Sequence, residues 1–137
     1  MYLLKHLDLV HQYVNIYYMR RIDFYKTVTG VSPVEDFLDT LSDTQTKKVL
    51  WVMKLVKELN PVPSQYFTKL VNTDDIWEVR VQVGGNIFRF LGFFEGDSLL
   101  ILSNGFQKKT QKTPRHEIEL AESRKREHQG REAIKNG

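Results

Sequence analysis

The sequence of 137 residues contains no cysteine, only four prolines and no apolar run of membrane-spanning length. Without cysteine there is neither a disulfide framework nor a thiolate metal site, which fits a reducing, cytoplasmic compartment. The four histidines lack the H-x-x-x-H and H-E-x-x-H spacings of metal sites. Walker A, G-x-G-x-x-G and G-x-S-x-G motifs are also missing. We therefore predict no metal and no small-molecule cofactor.

The length and composition predict one globular domain. Hydrophobic residues make up 41% of the chain and aromatic residues 12%, which is ordinary for a domain with its own core. The net charge is only +3, but its distribution is uneven. Ser32 to Thr46 holds four acids and no base, whereas Gly105 to Arg115 holds four bases and no acid. The second segment predicts a surface that attracts phosphate groups.

Start and stop signals predict three helices. Ser32 followed by Pro33 is typical of a helix start, so a short first helix is expected there. Ser42 or Asp43 then caps a longer helix that runs to about Leu59. A last helix is predicted to begin near Pro114.

Alternating residues predict four strands. Arg20 to Thr27 predicts the first, and Ile76 to Ser103 predicts three more, joined by a hairpin turn at Gly84-Gly85-Asn86 and a second turn at Glu95 to Ser98. The segment Tyr66 to Val71 is interpreted as a linker with apolar anchors.

The element order β-α-α-β-β-β-α predicts an α+β fold. It consists of a small antiparallel sheet, an αα-hairpin and a C-terminal helix, with the helices against one face. The strand Ile87 to Phe94 is apolar on both faces except for Arg89, so it is expected at the sheet centre. The side chains expected to be largely buried are Trp77, Val79, Val81, Phe88, Phe90 and Leu100.

Two arginines stand on the adjacent strands of the predicted hairpin. The turn brings Arg80 and Arg89 near one another across the ladder, where they could form a paired guanidinium site for one phosphate. Glu78 and Arg80 are expected to be accessible. The alternative is that each arginine only pairs with a carboxylate such as Glu78 or Glu95.

The residues of this region also carry a resemblance. The strings W-E-V-R, I-F-R and G-F-Q-K-K-T-Q-K-T-P-R-x-E-I-E-x-A resemble the HigB-type branch of the RelE/ParE toxins, from about Met19 to about Glu127. The resemblance implies a RelE/ParE-like fold and a toxin of a type II toxin–antitoxin system. Such a toxin is usually a ribosome-dependent mRNA endonuclease, whose partners are mRNA in the ribosomal A site, rRNA and a HigA-like helix-turn-helix antitoxin.

RNA cleavage through the 2′-OH needs a proton acceptor, and a lysine can serve if neighbouring cations lower its pKa from about 10.4. The predicted catalytic residues are Arg80, Arg89, Lys108 and Lys109. Adjacent residues in an extended segment point to opposite sides, so only one lysine can face the phosphate. We expect Lys109 to transfer a proton or to stabilise the phosphorane, and Lys108 to bind the RNA backbone or rRNA.

Further residues are assigned to RNA binding because aromatic, amide and cationic side chains suit single-stranded RNA. They are Lys69, Phe106, Gln107, Gln111, Lys112 and Arg115. His116 is an alternate acid or base, and Lys112 and Tyr66 are alternates for the proton donor. A solvated basic loop is the simpler alternative for the segment from Phe106 to Arg115.

Several questions stay open at this point. The alternative function is a non-catalytic, ParE-like inhibitor that binds DNA gyrase or another host protein. Residues 1–18 are interpreted as an N-terminal extension, residues 19–128 as the toxin domain, and residues 129–137 as a polar tail that frays. An acidic antitoxin could cover the basic segment or bind the helical face around Ser32 to Asp43.

Overall fold

The computed structural model describes residues 19–109 and 111–137. The expectation for residues 1–18 therefore lies outside the described residues. The elements in the described ranges are β1 (Arg21–Phe24), α1 (Pro33–Asp39), α2 (Asp43–Glu58), β2 (Phe67–Lys69), β3 (Trp77–Val83), β4 (Asn86–Glu95), β5 (Leu99–Lys108) and α3 (Arg115–Asn136). They confirm the predicted α+β class. None of the helices in these ranges has both the length and the apolar character of a membrane span.

Side-chain caps explain where the first two helices begin. The Ser32 hydroxyl accepts a hydrogen bond from the Glu35 amide at 3.3 Å, ahead of α1. At α2 the cap is Ser42, which accepts from the Gln45 amide at 3.2 Å. The Gln45 side chain accepts from the Ser42 amide at 2.9 Å in return, which completes a capping box. Both predicted helix starts are confirmed.

The sheet is mixed and not wholly antiparallel. Its strand order is β1-β5-β4-β3-β2, so β4 is the central strand, as predicted. β1 pairs in parallel with β5, whereas the other neighbours are antiparallel. No hairpin joins β1 to β5, so their relative direction is not set by a turn. The predicted linker at Tyr66 to Val71 contains β2, a three-residue edge strand.

The hairpin between β3 and β4 has the predicted turn. Val83 and Asn86 are register partners, which leaves a two-residue loop in which Gly84 has a φ of +58°. This conformation is open to glycine without strain.

β5 continues to Lys108 instead of ending at Ser103, because it pairs with β4 on both sides of a register shift at Ser103. The polar stretch within it has structural roles that hydropathy does not reveal. A Cβ on Gly105 would lie 2.7 Å from Phe37 and 2.8 Å from Phe90, so only glycine fits between these rings.

Helices cover both faces of the sheet, so the expectation of helices on one face is wrong. The first core lies between the sheet and α1 and α2, and it contains Val34, Val49, Val52, Val56, Val79, Val81, Phe88, Phe90, Leu100 and Leu102. The second core lies between the opposite face and α3, and it contains Tyr25, Ile76, Leu91, Phe93, Ile101 and Ala121. The predicted buried residues are buried, except that Trp77 is half-buried.

α3 runs to Asn136 and so includes most of the expected polar tail. Apolar burial does not hold this end, because the buried residues of α3 are Ala121 and Lys125. Polar contacts to the body replace it. The Tyr25 hydroxyl donates to Glu127, and Arg131 donates to the Lys26 carbonyl at 2.8 Å.

Candidate functional site

Three neighbouring strands place three cations on one face of the sheet. Arg80 of β3 and Arg89 of β4 are direct register partners, and Ile87 of β4 is the partner of Lys108. Because side chains alternate along a strand, Arg89 and Ile87 share a face, and so do their partners Arg80 and Lys108. The expected juxtaposition of the two arginines is confirmed. We call these three residues with Glu78 the cationic cluster.

Glu78 is the carboxylate of the cluster and is buried, so the expectation that it would be accessible is wrong. It is 2% exposed and forms an ion pair with Arg89, which is itself only 7% exposed. Glu78 lies two residues before Arg80 on the same face and is thus the diagonal neighbour of Arg89. The guanidinium of Arg89 satisfies the charge that burial would otherwise leave uncompensated.

The loop between β5 and α3 is hydrogen-bonded to the cluster at two points. Thr113 donates from its hydroxyl to the second carboxylate oxygen of Glu78 at 2.5 Å. Lys108 donates from its ammonium to the carbonyl of Gln111. These bonds hold the loop over the end of the sheet, and they explain why Lys108 is only 7% exposed.

The environment of Lys108 disfavours its charged form. Burial is the largest cause that lowers the pKa of Lys108, and the nearby charges of Arg89 and Arg80 lower it further, while Glu78 raises it. A lysine with a lowered pKa is neutral for a larger fraction of the time near neutral pH, so it can accept a proton.

The two arginines have donors that no described residue satisfies. Within the described residues, the buried Nε atoms of Arg80 and Arg89 have no hydrogen-bond acceptor. A buried donor without a partner is destabilising by about 1–3 kcal/mol. The cluster thus combines excess positive charge with unused donors, which is the chemistry of an anion site.

Cavities flank the cluster on both sides. One of about 430 Å³ is lined by Lys48, Gln65, Tyr66, Arg80 and Gln82. The other, of about 530 Å³, is lined by Gly85, Asn86, Ile87, Gln107, Lys108, Lys109 and Gln111. Each contains one cation of the cluster together with amide side chains.

A comparison with known protein families decides the family. The model of the phage-derived Gp49-like proteins (DUF891) matches residues 36–126, which is more than half of the chain. The chain belongs to the Gp49-like family. The match covers every residue of the cationic cluster.

The Gp49-like family is part of the RelE/HigB-like toxin superfamily. Its members are commonly related to toxins of toxin–antitoxin systems, and such toxins typically pair with an antitoxin. The family is associated with nuclease-like toxins. No curated protein matches the chain significantly.

The two lysines of this Gp49-like protein differ in position. Only one of them joins the arginines, as the alternation predicts, but it is Lys108, whereas Lys109 follows β5 and is exposed. The register explains this difference. Gly92 pairs with Leu102 but Leu91 pairs with Asn104, and this shift makes Lys108 the partner of Ile87 on the face of Arg89.

The aromatic and amide candidates lie at the end of β5. Phe106 is the register partner of Arg89, and its ring is half-buried against the second core. Gln107 is exposed and donates to the Asn86 side chain at 2.9 Å. The backbone carbonyl of Tyr66 accepts from the Arg80 amide at 2.9 Å. The ring of Tyr66 packs edge-on against Trp51, with the ring centroids 5.8 Å apart. The ring of Phe106 is therefore part of the packed domain, while Gln107 and Tyr66 border the two cavities.

The remaining candidates lie outside the cluster. Lys69 is exposed on β2, where its ammonium lies 2.6 Å from Asp75. Arg115 forms an exposed ion pair with Glu119 at 3.4 Å, and the exposed His116 lies 3.4 Å from Glu117. Gln111 and Lys112 are exposed in the loop. The carboxylate partners of Lys69, Arg115 and His116 are not part of the cluster, whereas the Gln111 carbonyl accepts from Lys108.

Sequence reasoning named Glu78 as a possible partner of an arginine, but it missed the burial of Glu78 and the role of Thr113. A signal for Glu78 was available, because a two-residue turn at Gly84–Gly85 fixes Arg80 opposite Arg89 and places Glu78 on the diagonal. No such signal exists for Thr113, since its bond to Glu78 depends on the path of the loop.

Proposed function

We propose that this Gp49-like protein is the toxin of a type II toxin–antitoxin pair and an mRNA endonuclease that acts in the ribosomal A site. The observation that supports this proposal is the cationic cluster, in which a buried lysine with a lowered pKa lies on the same sheet face as two paired arginines. The substrate is a phosphodiester with a neighbouring 2′-OH.

The arginines bind the scissile phosphate. Arg80 is half-buried, with an unused Nε donor, and it borders a cavity that a nucleotide can enter. Arg89 is oriented by Glu78, which fixes the guanidinium plane beside Arg80. Planar guanidinium groups bind phosphate oxygens in pairs, and such contacts strengthen as charge develops on the phosphorane.

Lys108 is the proton acceptor in this proposal. Its neutral amine takes the proton of the 2′-OH, the 2′-oxygen attacks the adjacent phosphorus, and the bond from phosphorus to the 5′-oxygen breaks. The products are a 2′,3′-cyclic phosphate and a 5′-OH end. Among the alternates for the proton donor, Tyr66 borders the same cavity as Arg80, so we assign the proton for the leaving 5′-oxygen to its phenol.

The RNA strand follows the line of the two cavities across the cluster. The cavity at Tyr66 lies on one side of the arginine pair, and the cavity at Gln107 and Lys109 lies on the other. Lys109 is exposed, so it binds the RNA backbone by salt-sensitive attraction.

An acidic helix-turn-helix antitoxin neutralises the protein by covering the cluster. The helical face around α1 is the less suitable target for an acidic partner, because its groove is lined by Glu35, Asp39 and Asp43. Like charges there would oppose association.

Primer extension on ribosomes programmed with a defined mRNA tests this function. Breaks at fixed positions within the A-site codon are expected with the wild-type protein, and a cyclic phosphate should be detected at the upstream ends. Absence of breaks together with inhibition of DNA supercoiling would instead support the ParE-like alternative. Co-expression of the neighbouring reading frame should restore growth if that frame encodes the antitoxin.

A further inference from the structure

A second cluster of ionisable side chains lies at the other end of α3, away from the cationic cluster. Glu95 ends β4, and His128 and Glu132 lie one turn apart on α3. One potential ligand atom from each residue lies within 4.8 Å of the other two. Among the residues that the structure describes, no other group of three histidine, aspartate or glutamate side chains meets this criterion.

Two contacts hold the imidazole of His128 beside Glu95. Its ring packs against Phe93 with a centroid distance of 5.7 Å, and its Nε2 lies 3.1 Å from a carboxylate oxygen of Glu95. Two ligands of a tetrahedral ion with bonds of about 2.1 Å are about 3.4 Å apart. His128 and Glu95 already stand near that separation, so only Glu132 has to approach.

The surroundings leave room for the remaining coordination position. All three side chains line a cavity of about 600 Å³ that also includes Tyr25, Arg131 and Lys135. The side chain of His128 is 19% exposed, which allows an ion and its water ligand to enter. Lys135 lies 3.5 Å from Glu132 and is exposed, so it can turn away at little cost.

The C-terminal half of α3 has few buried residues to hold it against the sheet. The buried residues of this helix end at Lys125, and Ile134 is 82% exposed. An ion shared by Glu95, His128 and Glu132 would connect this half of the helix directly to the end of β4.

We propose that Glu95, His128 and Glu132 form a binding site for a divalent transition-metal ion of the Zn²⁺ class, with water as a further ligand. One imidazole and two carboxylates favour Zn²⁺, Co²⁺ or Ni²⁺ over Mg²⁺ and Ca²⁺, which prefer sites made wholly of oxygen. The site stabilises α3 and is independent of the proposed cleavage, because it shares no residue with the cationic cluster.

Titration of the full chain with Zn²⁺ by calorimetry tests the site. The wild-type protein should bind one equivalent of Zn²⁺ at this site with a KD at least tenfold lower than that of His128→Asn or Glu132→Gln. His116→Asn is the matched control, since His116 is also on α3 beside a glutamate but is not part of a three-residue group. His6 and His11 are present in every variant, so they do not contribute to the difference.

Thermal unfolding gives a second readout. Saturating Zn²⁺ should raise the Tm of the wild type and of His116→Asn by about 5 °C. It should not raise the Tm of His128→Asn, whose folding without metal is checked by circular dichroism, with Glu95→Gln as a substitute if His128→Asn fails to fold. Equal Zn²⁺ binding by wild type and folded variants, or an equal response to Mg²⁺, would overturn the proposal.

Discussion

The two faces of the sheet use the same strands in different ways. The face toward α1 and α2 carries an apolar core, and its largest residues, such as Phe88 and Phe90, are almost fully buried. The face toward α3 is apolar only where the helix covers it. The part of this face that α3 does not cover carries Arg89, Lys108 and Glu78, all of which are less than 10% exposed.

This difference shows that a buried residue in this fold does not necessarily stabilise it. On the first face, burial removes apolar area from water and stabilises the domain. On the second face, burial removes charges from water, which is unfavourable unless each is paired. The sheet tolerates this because Glu78 accepts from both Arg89 and Thr113.

The largest expected effect is on stability, and it concerns the buried ion pair on the face toward α3. Glu78→Ala should lower the free energy of unfolding by about 3–5 kcal/mol, because it leaves the buried Arg89 unpaired. Glu78→Met combined with Arg89→Met should recover most of this loss, since a buried ion pair can be replaced by apolar residues of similar volume. Urea denaturation measures both.

Phe90 and Phe37 form the matched pair on the first face, where a second substitution should not restore stability. Phe90→Ala should also destabilise by about 3–5 kcal/mol, but adding Phe37→Ala, whose ring lies 5.8 Å away, should lower stability further. A Glu78→Met/Arg89→Met variant that is less stable than Glu78→Ala would contradict the ion-pair account.

Much of the fold follows from local signals in the sequence. Ser32, Pro33 and Ser42 mark helix starts because their caps involve residues only three positions away. The turn at Gly84–Gly85 fixes the register of β3 and β4. The parallel pairing of β1 with β5 is not predictable in this way, because it joins segments that are distant in the chain.

The second prediction concerns the rate of cleavage. Arg80→Ala should reduce cleavage by about 10²- to 10³-fold, because a donor to the developing phosphorane is lost. Its stability should change little, since the side chain is half-buried and its Nε has no acceptor within the described residues. Arg80→Lys should restore little activity, because an ammonium cannot make the two parallel bonds of a guanidinium.

Single-turnover rates on programmed ribosomes, with unfolding curves in parallel, make this measurement. Arg89→Ala is the less informative variant, since it also leaves Glu78 without its buried partner. A folded Arg80→Ala protein with wild-type cleavage would remove Arg80 from the site.

The third prediction tests how tightly the first face is packed. Gly105→Ala should destabilise by about 1–3 kcal/mol, because the added Cβ would lie less than 3 Å from two aromatic rings. Gly130→Ala is the control, since nothing lies within 4 Å of a Cβ there, and alanine favours a helix. Equal stability of the two variants in urea would contradict the close packing of Gly105 against the two rings.

Part of the candidate site follows from the sequence as well. The pairing of Arg80 with Arg89 needs only the turn and strict alternation. The choice between Lys108 and Lys109 depends on the register shift at Ser103, and the polar residues Ser103 and Asn104 give no sign of it in the sequence. Asn104 is buried because its amide donates to the Glu117 carboxylate at 2.7 Å, a contact with α3 that hydropathy does not reveal.

The smallest expected effect concerns pH and Lys108. Its pKa is lowered in the folded protein, so the unfolded chain binds more protons than the folded one between the lowered pKa and the ordinary value of about 10.4. This group therefore makes stability rise with pH through that window, and its destabilising contribution is fully present below it. Lys108→Met should be at least as stable as wild type at pH 7, and this advantage should shrink toward pH 10. An advantage that grows with pH would contradict the sign.

The most direct test of the central claim compares Lys108→Met with Lys109→Met in single-turnover cleavage by ribosome-bound protein. At saturating protein and low salt, Lys109→Met should cleave at close to the wild-type rate, because saturation compensates for a lost backbone contact. Lys108→Met should remain slower by about 10²-fold or more under the same conditions, because the lost group acts in the chemical step. Wild-type cleavage by bound Lys108→Met, or loss of cleavage only in Lys109→Met, would contradict the assignment of proton transfer to the buried lysine.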